Sequence, residues 1–219
     1  MSKQRNQTLF VVALILCTSV LGRSQSLDTK AADKGPDSRS AREVFEDANG
    51  YLGRRYQEFN KKHQPYDPKL EAQVKKEQHD LALKNAAILE TRKLHGDDRY
   101  FLGLLYHLAG DGDNALKTMA QFVKDQPDGE KAQTARNVVV LYSVKKDKVA
   151  DALAAIDDYA NHQPQSPEDR YRMEFLIADA FLRAKDFSQM ATHSEQMMLA
   201  AKKFVDQRKS DQRRGFSKR

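Results

Sequence analysis

The feature that most constrains the fold of this chain is an internal spacing of 37 residues. Ala115 and Ala152 hold matching places in the short stretches DNAL and ADAL, and each is followed twelve residues later by a proline, Pro127 or Pro164. A looser third copy places Met190 38 residues after Ala152. A constant spacing of this size indicates that one supersecondary unit is repeated along the chain and stacked on its neighbours.

The apolar residues of these units, and of the chain before them, recur with the period of a helix. They are spaced three and four residues apart, with no sustained strand-like alternation, and the β-branched run 138–140 lies inside a longer helical stretch. We therefore predict an all-α fold with eight helices, at about 40–62, 68–95, 98–109, 113–126, 129–144, 148–162, 167–184 and from 186 onward. The short links between them predict antiparallel neighbours packed as helical hairpins.

Particular residue types also recur at fixed places within each unit. They are Leu102, Gly103, Tyr106, Ala115 and Pro127 in the first unit, Ala152 and Pro164 in the second, and Ile177, Ala178 and Phe181 in the third. In this respect 96–201 resembles the tetratricopeptide repeat family, which has Leu-Gly and Tyr on the first helix of each repeat and Ala and Pro on the second. The resemblance implies antiparallel helix pairs stacked as a short right-handed α-solenoid, with three degenerate repeats in 96–205 and an atypical helical hairpin in 40–95. A thin, continuous core of this kind fits a composition with 31% charged residues.

The N-terminal residues have the order of a secretory signal peptide, which we place at 1–26. Lys3 and Arg5 precede an apolar run over 9–16, and small residues follow at 22–26. The sequence thus predicts export to the periplasm or the exterior, and an uncleaved segment that anchors the chain in a membrane is the alternative. The only cysteine, Cys17, lies in this stretch, so cleavage would leave no thiol for a disulfide or a metal site. We predict a disordered spacer over 27–39.

The net charge of +6 is concentrated at the C-terminal end. Residues 200–219 carry eight basic and two acidic side chains, which leaves the rest of the chain balanced. That balance argues against nucleic-acid binding by the folded body. We predict a basic, disordered tail over 206–219; binding of anionic lipid or nucleic acid by the tail, or a linker into a further domain, are the alternatives.

No motif in the sequence predicts catalysis, a cofactor or a metal. The stretch GDGDNA at 110–115 follows a helix rather than a strand, so it lacks the context of a dinucleotide site. The same stretch lacks the glycine and glutamate of a calcium loop, and no two histidines are spaced as helical metal ligands. We therefore predict a protein that is not an enzyme and has no cofactor or metal.

The tetratricopeptide resemblance also implies a site, because the first helix of each repeat lines a concave groove in that family. By repeat position the groove residues are Tyr100, Leu104, His107, Asn137, Leu141, Lys145, Arg172, Phe175, Asp179 and Arg183, with Asp97 and Thr134 beside them. This mixture of apolar, aromatic and charged side chains is typical of a peptide-binding surface. Tyr100 and Leu104 replace the Lys and Asn with which some family members clamp a peptide carboxylate.

The implied function is an exported scaffold that binds a protein or a peptide, with no nucleic-acid partner. Two other interpretations stay open: the chain is the helical module of a larger exported enzyme, or it is a free-standing all-α hydrolase. A structural alternative for the groove is that Tyr100, Leu104, Leu141 and Phe175 simply pack against the last helix or a neighbour.

Overall fold

The computed structural model of the protein describes residues 37–216, and the side chains of 37–211. This part of the chain is all-helical and contains no strand, which confirms the predicted all-α class. Its helices are α1 (Ala41–Asn49), α2 (Tyr51–Lys61), α3 (Pro68–Glu90), α4 (Asp98–Leu108), α5 (Gly112–Asp125), α6 (Glu130–Lys145), α7 (Val149–Asn161), α8 (Pro167–Arg183) and α9 (Phe187–Phe216). The predicted signal peptide (1–26) and residues 27–36 of the predicted spacer lie outside the described residues.

Short polar side chains set where several helices begin. Ser40 and Glu43 form a reciprocal capping box at the start of α1. The carboxylate of Asp67 and the hydroxyl of Ser166 accept backbone N–H groups at the starts of α3 and α8, and a proline occupies the first position of each. Asp111 caps α5 in the same way. The sequence predicts Asp67 and Ser166 as the caps of the second and seventh predicted helices. For the fourth it predicts Asp113, whereas the cap is Asp111, two residues earlier.

The predicted helix over 40–62 is divided into α1 and α2 at Gly50. Val44 and Ala48 of α1 are fully buried, whereas α2 buries no residue completely. Gln78 of α3 donates its side-chain amide to the carbonyl oxygens of Ala48 (3.0 Å) and Asn49 (3.3 Å). These bonds satisfy carbonyl groups that a helix leaves free at its end, so the break at a glycine is held by tertiary contacts.

The predicted spacer ends in ordered structure rather than at a disordered boundary. Arg39 forms ion pairs with Asp37 (2.6 Å) and Asp47 (3.0 Å). Arg92, after α3, donates to the carbonyl oxygens of Arg39 (2.5 Å) and Asp37 (2.7 Å). Four charged side chains therefore hold residues 37–39 against the folded body. No periodic pattern in the sequence indicates these contacts.

The C-terminal end of the described chain also differs from the prediction. The sequence predicts a disordered tail from 206, but α9 continues as a helix to Phe216. The stretch from 202 is rich in Lys, Arg, Gln and Asp and contains no proline, and Lys, Arg and Gln are good helix formers. Most of these positions hold good helix formers. Because the first part of α9 packs against α8, the helix can therefore continue beyond its last contact with α8.

The helices pack in chain order. From α4 onward each helix contacts the next, and the alternate helices α4, α6 and α8 also contact one another in turn. In the N-terminal part, α1 contacts both α3 and α4. One apolar cluster is formed by residues of α1 and α3–α6, and a second by residues of α6, α7 and α8.

The 37-residue spacing recurs in the burial of the core. Ala115 of α5 and Ala152 of α7 both have 0% of their surface exposed. Residue pairs with the same spacing that are also buried are Leu105 and Tyr142, Tyr106 and Ser143, Met119 and Ile156, and Phe122 and Tyr159. Val140 of α6, 37 residues after the buried Gly103, is fully buried as well. The first and second units thus bury equivalent positions.

Gly112 is a position where the packing excludes a side chain. A Cβ atom added there would lie 2.6 Å from Cδ1 of the Tyr142 ring, whereas one added at Gly53 would meet no atom within 4 Å. We expect Gly112→Ala to lower the free energy of unfolding by about 1–3 kcal/mol, since a buried ring must move. Gly53→Ala, also in a helix, should raise it by about 0.5–1 kcal/mol. Urea denaturation of both variants measures the difference, and equal effects would contradict the close contact.

No helix within residues 37–216 combines the length and the apolar character needed to cross a membrane.

Candidate binding groove

A cleft of about 550 Å³ lies across α4, α6 and α8, and we call it the groove. Its lining residues are Leu104 and His107 of α4; Thr134, Asn137, Val138 and Leu141 of α6; and Asp169, Tyr171, Arg172, Met173, Phe175 and Leu176 of α8. The three helices that contribute are alternate ones in the chain. Since α6 contacts both α4 and α8, one face of each of the three helices contributes to the same surface.

Most of the residues predicted for a groove come together here. Leu104, His107, Asn137, Leu141, Arg172 and Phe175 line it, and Thr134 lies with them. The other five predicted residues are not among its lining residues: Asp97, Tyr100, Lys145, Asp179 and Arg183.

The residues outside the groove have other contacts. The ring of Tyr100 lies 5.4 Å from that of Phe122, and burial raises the pKa of its hydroxyl. Asp179 accepts from the guanidinium of Arg183 at 3.1 Å on the surface of α8. Packing against a neighbour, the structural alternative for the groove, therefore describes Tyr100, Leu104 and Leu141, which are half-buried and pack against the core. It does not describe Phe175, which is 53% exposed.

Tyr142 organises the end of the groove where α4 and α6 finish. Its hydroxyl oxygen lies 3.1 Å from Nδ1 of His107, and its ring packs edge-on against the imidazole. The ammonium of Lys145 lies 5.3 Å from the centre of the same ring. Loss of water, followed by the nearby charge of Lys145, lowers the pKa of His107. At this end of the groove, protonation of the His107 imidazole is therefore disfavoured, and the ammonium of Lys145 lies just outside the lining.

The middle of the groove carries polar groups on an apolar surface. Leu104, Leu141 and Leu176 are half-buried, so their exposed parts form an apolar surface that a ligand can cover. Asn137 lies among them, and its Oδ1 is buried with no hydrogen-bond partner in the described part of the chain. An unsatisfied buried amide oxygen raises the free energy of the folded chain.

The α8 side of the groove is aromatic and charged. Tyr171 and Phe175 are 39% and 53% exposed. Between them lies Arg172, whose guanidinium binds the carboxylate of Glu168 one turn earlier. Both side chains of that pair are largely exposed, so the pair is weak and Arg172 can exchange its partner for a ligand carboxylate.

The sequence prediction missed four large, mainly apolar side chains of the lining. The structure places in the groove four such residues that were not predicted: Val138, Tyr171, Met173 and Leu176. Leu176 follows Phe175, and Val138 follows Asn137, so each is next to a predicted position. The signal that could have found them is the width of the groove face, which spans adjacent residues on each helix rather than one residue per turn.

Groups of three or more histidine, cysteine or acidic side chains arranged to hold a metal ion are absent from the residues that the structure describes. Comparisons with family models, with curated proteins and with solved structures found no match to this chain.

Proposed function

We propose that this protein is an exported, non-enzymatic scaffold of tetratricopeptide-like repeats that binds a peptide or an extended segment of a protein in the groove. The observation that carries the proposal is the coincidence of two independent features. The repeat register of the sequence selects one face of each first helix, and a cleft of about 550 Å³ lies on those faces. Its volume is within the usual range of ligand sites, about 300–1,000 Å³.

Several features support a stacked-repeat architecture. Successive helices pack in chain order, the alternate helices α4, α6 and α8 meet along one side, and equivalent residues of the first two units are buried. In this arrangement α4–α5, α6–α7 and α8–α9 are the three repeats, and α1 and α3 form the preceding hairpin, with α2 inserted between them. Export is the proposal that the N-terminal residues support, through their charged, apolar and small-residue order.

The side chains of the groove suit a peptide that alternates apolar and polar groups. Leu104, Leu141 and Phe175 offer apolar surface for two or three side chains. Asn137 adds a polar side chain to the lining, and Arg172 offers a donor for a carboxylate or a carbonyl. Apolar contacts of this kind supply most of the binding free energy, and the polar groups fix the register of the peptide.

Selection from a displayed peptide library, followed by titration of the selected peptides, tests the proposal. We expect enriched peptides whose affinity falls at least about tenfold in Phe175→Ser, which is about 1.4 kcal/mol of binding free energy. Tyr66→Ser is the matched control, because Tyr66 is an aromatic residue that is 77% exposed and lies away from the groove. The proposal fails if no peptide is enriched, or if Phe175→Ser and Tyr66→Ser bind the selected peptides equally well.

A further inference from the structure

The last two helices carry a second apolar surface, which shares Tyr171 and Phe175 with the groove and otherwise consists of residues that do not line it. On α8, Tyr171, Phe175 and Leu182 are spaced four and seven residues apart and so lie along one line of the helix. On α9, Phe187, Met198 and Val205 are spaced eleven and seven residues apart and form a second line. Exposed fractions run from 39% for Tyr171 to 69% for Met198. We call these six residues the end face.

The two lines belong to one continuous surface. Tyr171 of α8 and Val205 of α9 line a common cleft of about 400 Å³, together with Ala201 and Phe204. At the other end, Leu182 and Phe187 flank the short turn that joins the two helices. Because α8 and α9 pack against each other along their lengths, the end face extends over the full length of α8.

The position of the end face explains why it is apolar. The pair α4–α5 is covered by α6, and the pair α6–α7 is covered by α8. Met198 of α9 is 69% exposed, and within residues 37–216 no further helix packs on α9 beyond α8. The end face is therefore the surface on which a following helix pair would pack.

We infer that the end face binds the end face of a second copy of this chain. Six side chains with about 200 Å² of surface each, roughly half exposed, offer about 600 Å² per chain. A stable interface begins at about 1,200 Å² in total, or about 600 Å² per partner. Two end faces in contact reach that area without any further surface. The pair α8–α9 of each copy is then covered by the pair α8–α9 of the other, as the earlier helix pairs are covered within one chain.

The charges of the two helices also favour self-association. The first turn of α8 is acidic, with Glu168 and Asp169, whereas α9 carries Lys202 and Lys203 near the end of the shared length. A twofold axis parallel to the helices lays α9 antiparallel to α8 of the second copy. The basic part of α9 then meets the acidic first turn of that α8, as it does within one chain. A parallel pairing of two α9 helices would instead bring like charges together.

Sedimentation of the full chain at concentrations up to tens of micromolar, with two single variants, tests the inference. Met198→Lys places a charge on the end face, whereas Leu199→Lys places the same charge on the next residue. Leu199 is 48% exposed and lines a different cleft with Gln196 and Lys203. We expect wild type and Leu199→Lys to sediment as dimers, and Met198→Lys to weaken the dimer at least tenfold with unchanged helical circular dichroism.

Other outcomes overturn the inference. A wild-type monomer over the whole concentration range would mean that a different protein or a different segment covers the end face. An oligomer that both lysine variants retain, or both lose, would place the contact elsewhere in the chain. Should Met198→Lys fold poorly, Phe187→Lys makes the same test at a residue that is 61% exposed. Met198 and Phe187 do not line the groove, so these variants test the dimer without altering the peptide site, and peptide binding is measured separately.

Discussion

Replacement of Glu174 by alanine should lower the free energy of unfolding by about 3–5 kcal/mol, the largest loss that we expect from a single charged residue of this protein. Glu174 of α8 has 0% of its side chain exposed. One carboxylate oxygen lies 2.6 Å from Nδ1 of His193 on α9, and the other lies 2.5 Å from Nη2 of Arg170 on α8. Without the carboxylate, Arg170 loses its counter-charge and Nδ1 of His193 loses its hydrogen-bond partner, and both side chains are largely shielded from water.

The position of Glu174 makes the loss larger than for an ordinary ion pair. His193 is held between the carboxylate and the ring of Phe181, which stacks on the imidazole at 5.5 Å. Arg170 also donates to the carbonyl oxygen of Ile156 on α7 at 3.4 Å. The carboxylate thus links α7, α8 and α9, so its removal weakens the attachment of the last helix as well as one pair of charges.

Asp179→Ala is the matched control for this prediction. Asp179 is also an acidic residue of α8 that binds an arginine four residues away, Arg183, but both side chains are about half exposed. A pair of this kind contributes about 0–1 kcal/mol, so Asp179→Ala should leave the denaturation midpoint nearly unchanged. Chemical denaturation followed by circular dichroism compares the two variants. Similar losses for Glu174→Ala and Asp179→Ala would show that burial of the carboxylate does not matter.

Local signals in the sequence were sufficient for the helical class and for most helix starts. Capping residues such as Ser40, Asp67 and Ser166 act within one turn of the helix, so nearby residues are enough to predict where these helices begin. The break at Gly50 is different, because it depends on the amide of Gln78, 28 residues further along the chain. The helical continuation of α9 is different again, since the composition of 206–216 suits a helix and a solvated coil equally well.

For the candidate site, the repeat register predicted more of the residues than local signals did. It selected Leu104, Asn137, Leu141 and Phe175, which share the groove although they lie on three helices. It could not separate Tyr100 from these residues, because the ring of Tyr100 is drawn into the core by Phe122 of the adjacent helix. Register reports which face a residue occupies, whereas the depth of a side chain depends on the neighbour that it meets.

Buried polar contacts were the features of the structure that the sequence predicted least well. Glu174 lies in a stretch whose acidic and basic residues suggest a solvated helix face, and nothing within α8 indicates that it is buried. It is the packing of α9 that covers it and supplies His193 as its partner. Arg136 is a similar case on α6: it is 1% exposed and binds Asp158 of α7 at 2.6 Å. Such pairs join residues of different helices, which no periodicity describes.

Phe122 and Tyr159 provide the most direct test of whether the first two units are equivalent. They are 37 residues apart, they lie on α5 and α7, and they are 2% and 1% exposed. We expect Phe122→Ala and Tyr159→Ala each to lower the free energy of unfolding by about 3–5 kcal/mol, since each leaves a large cavity in one of the two apolar clusters. Phe175→Ala, which removes an aromatic ring that is 53% exposed, should lower it by less than about 1 kcal/mol.

Tyr159 has one contact that Phe122 cannot have, and this separates cavity formation from hydrogen bonding. Its hydroxyl oxygen accepts from the backbone N–H of Ser166 at 2.6 Å, at the residue that caps α8. Tyr159→Phe should therefore lower the free energy of unfolding by about 1–3 kcal/mol, because the N–H is left without a partner. Denaturation curves of the four variants measure both effects. If Phe122→Ala were severe and Tyr159→Ala mild, the 37-residue spacing would not mark equivalent positions, and the register that selects the groove residues would lose its structural basis.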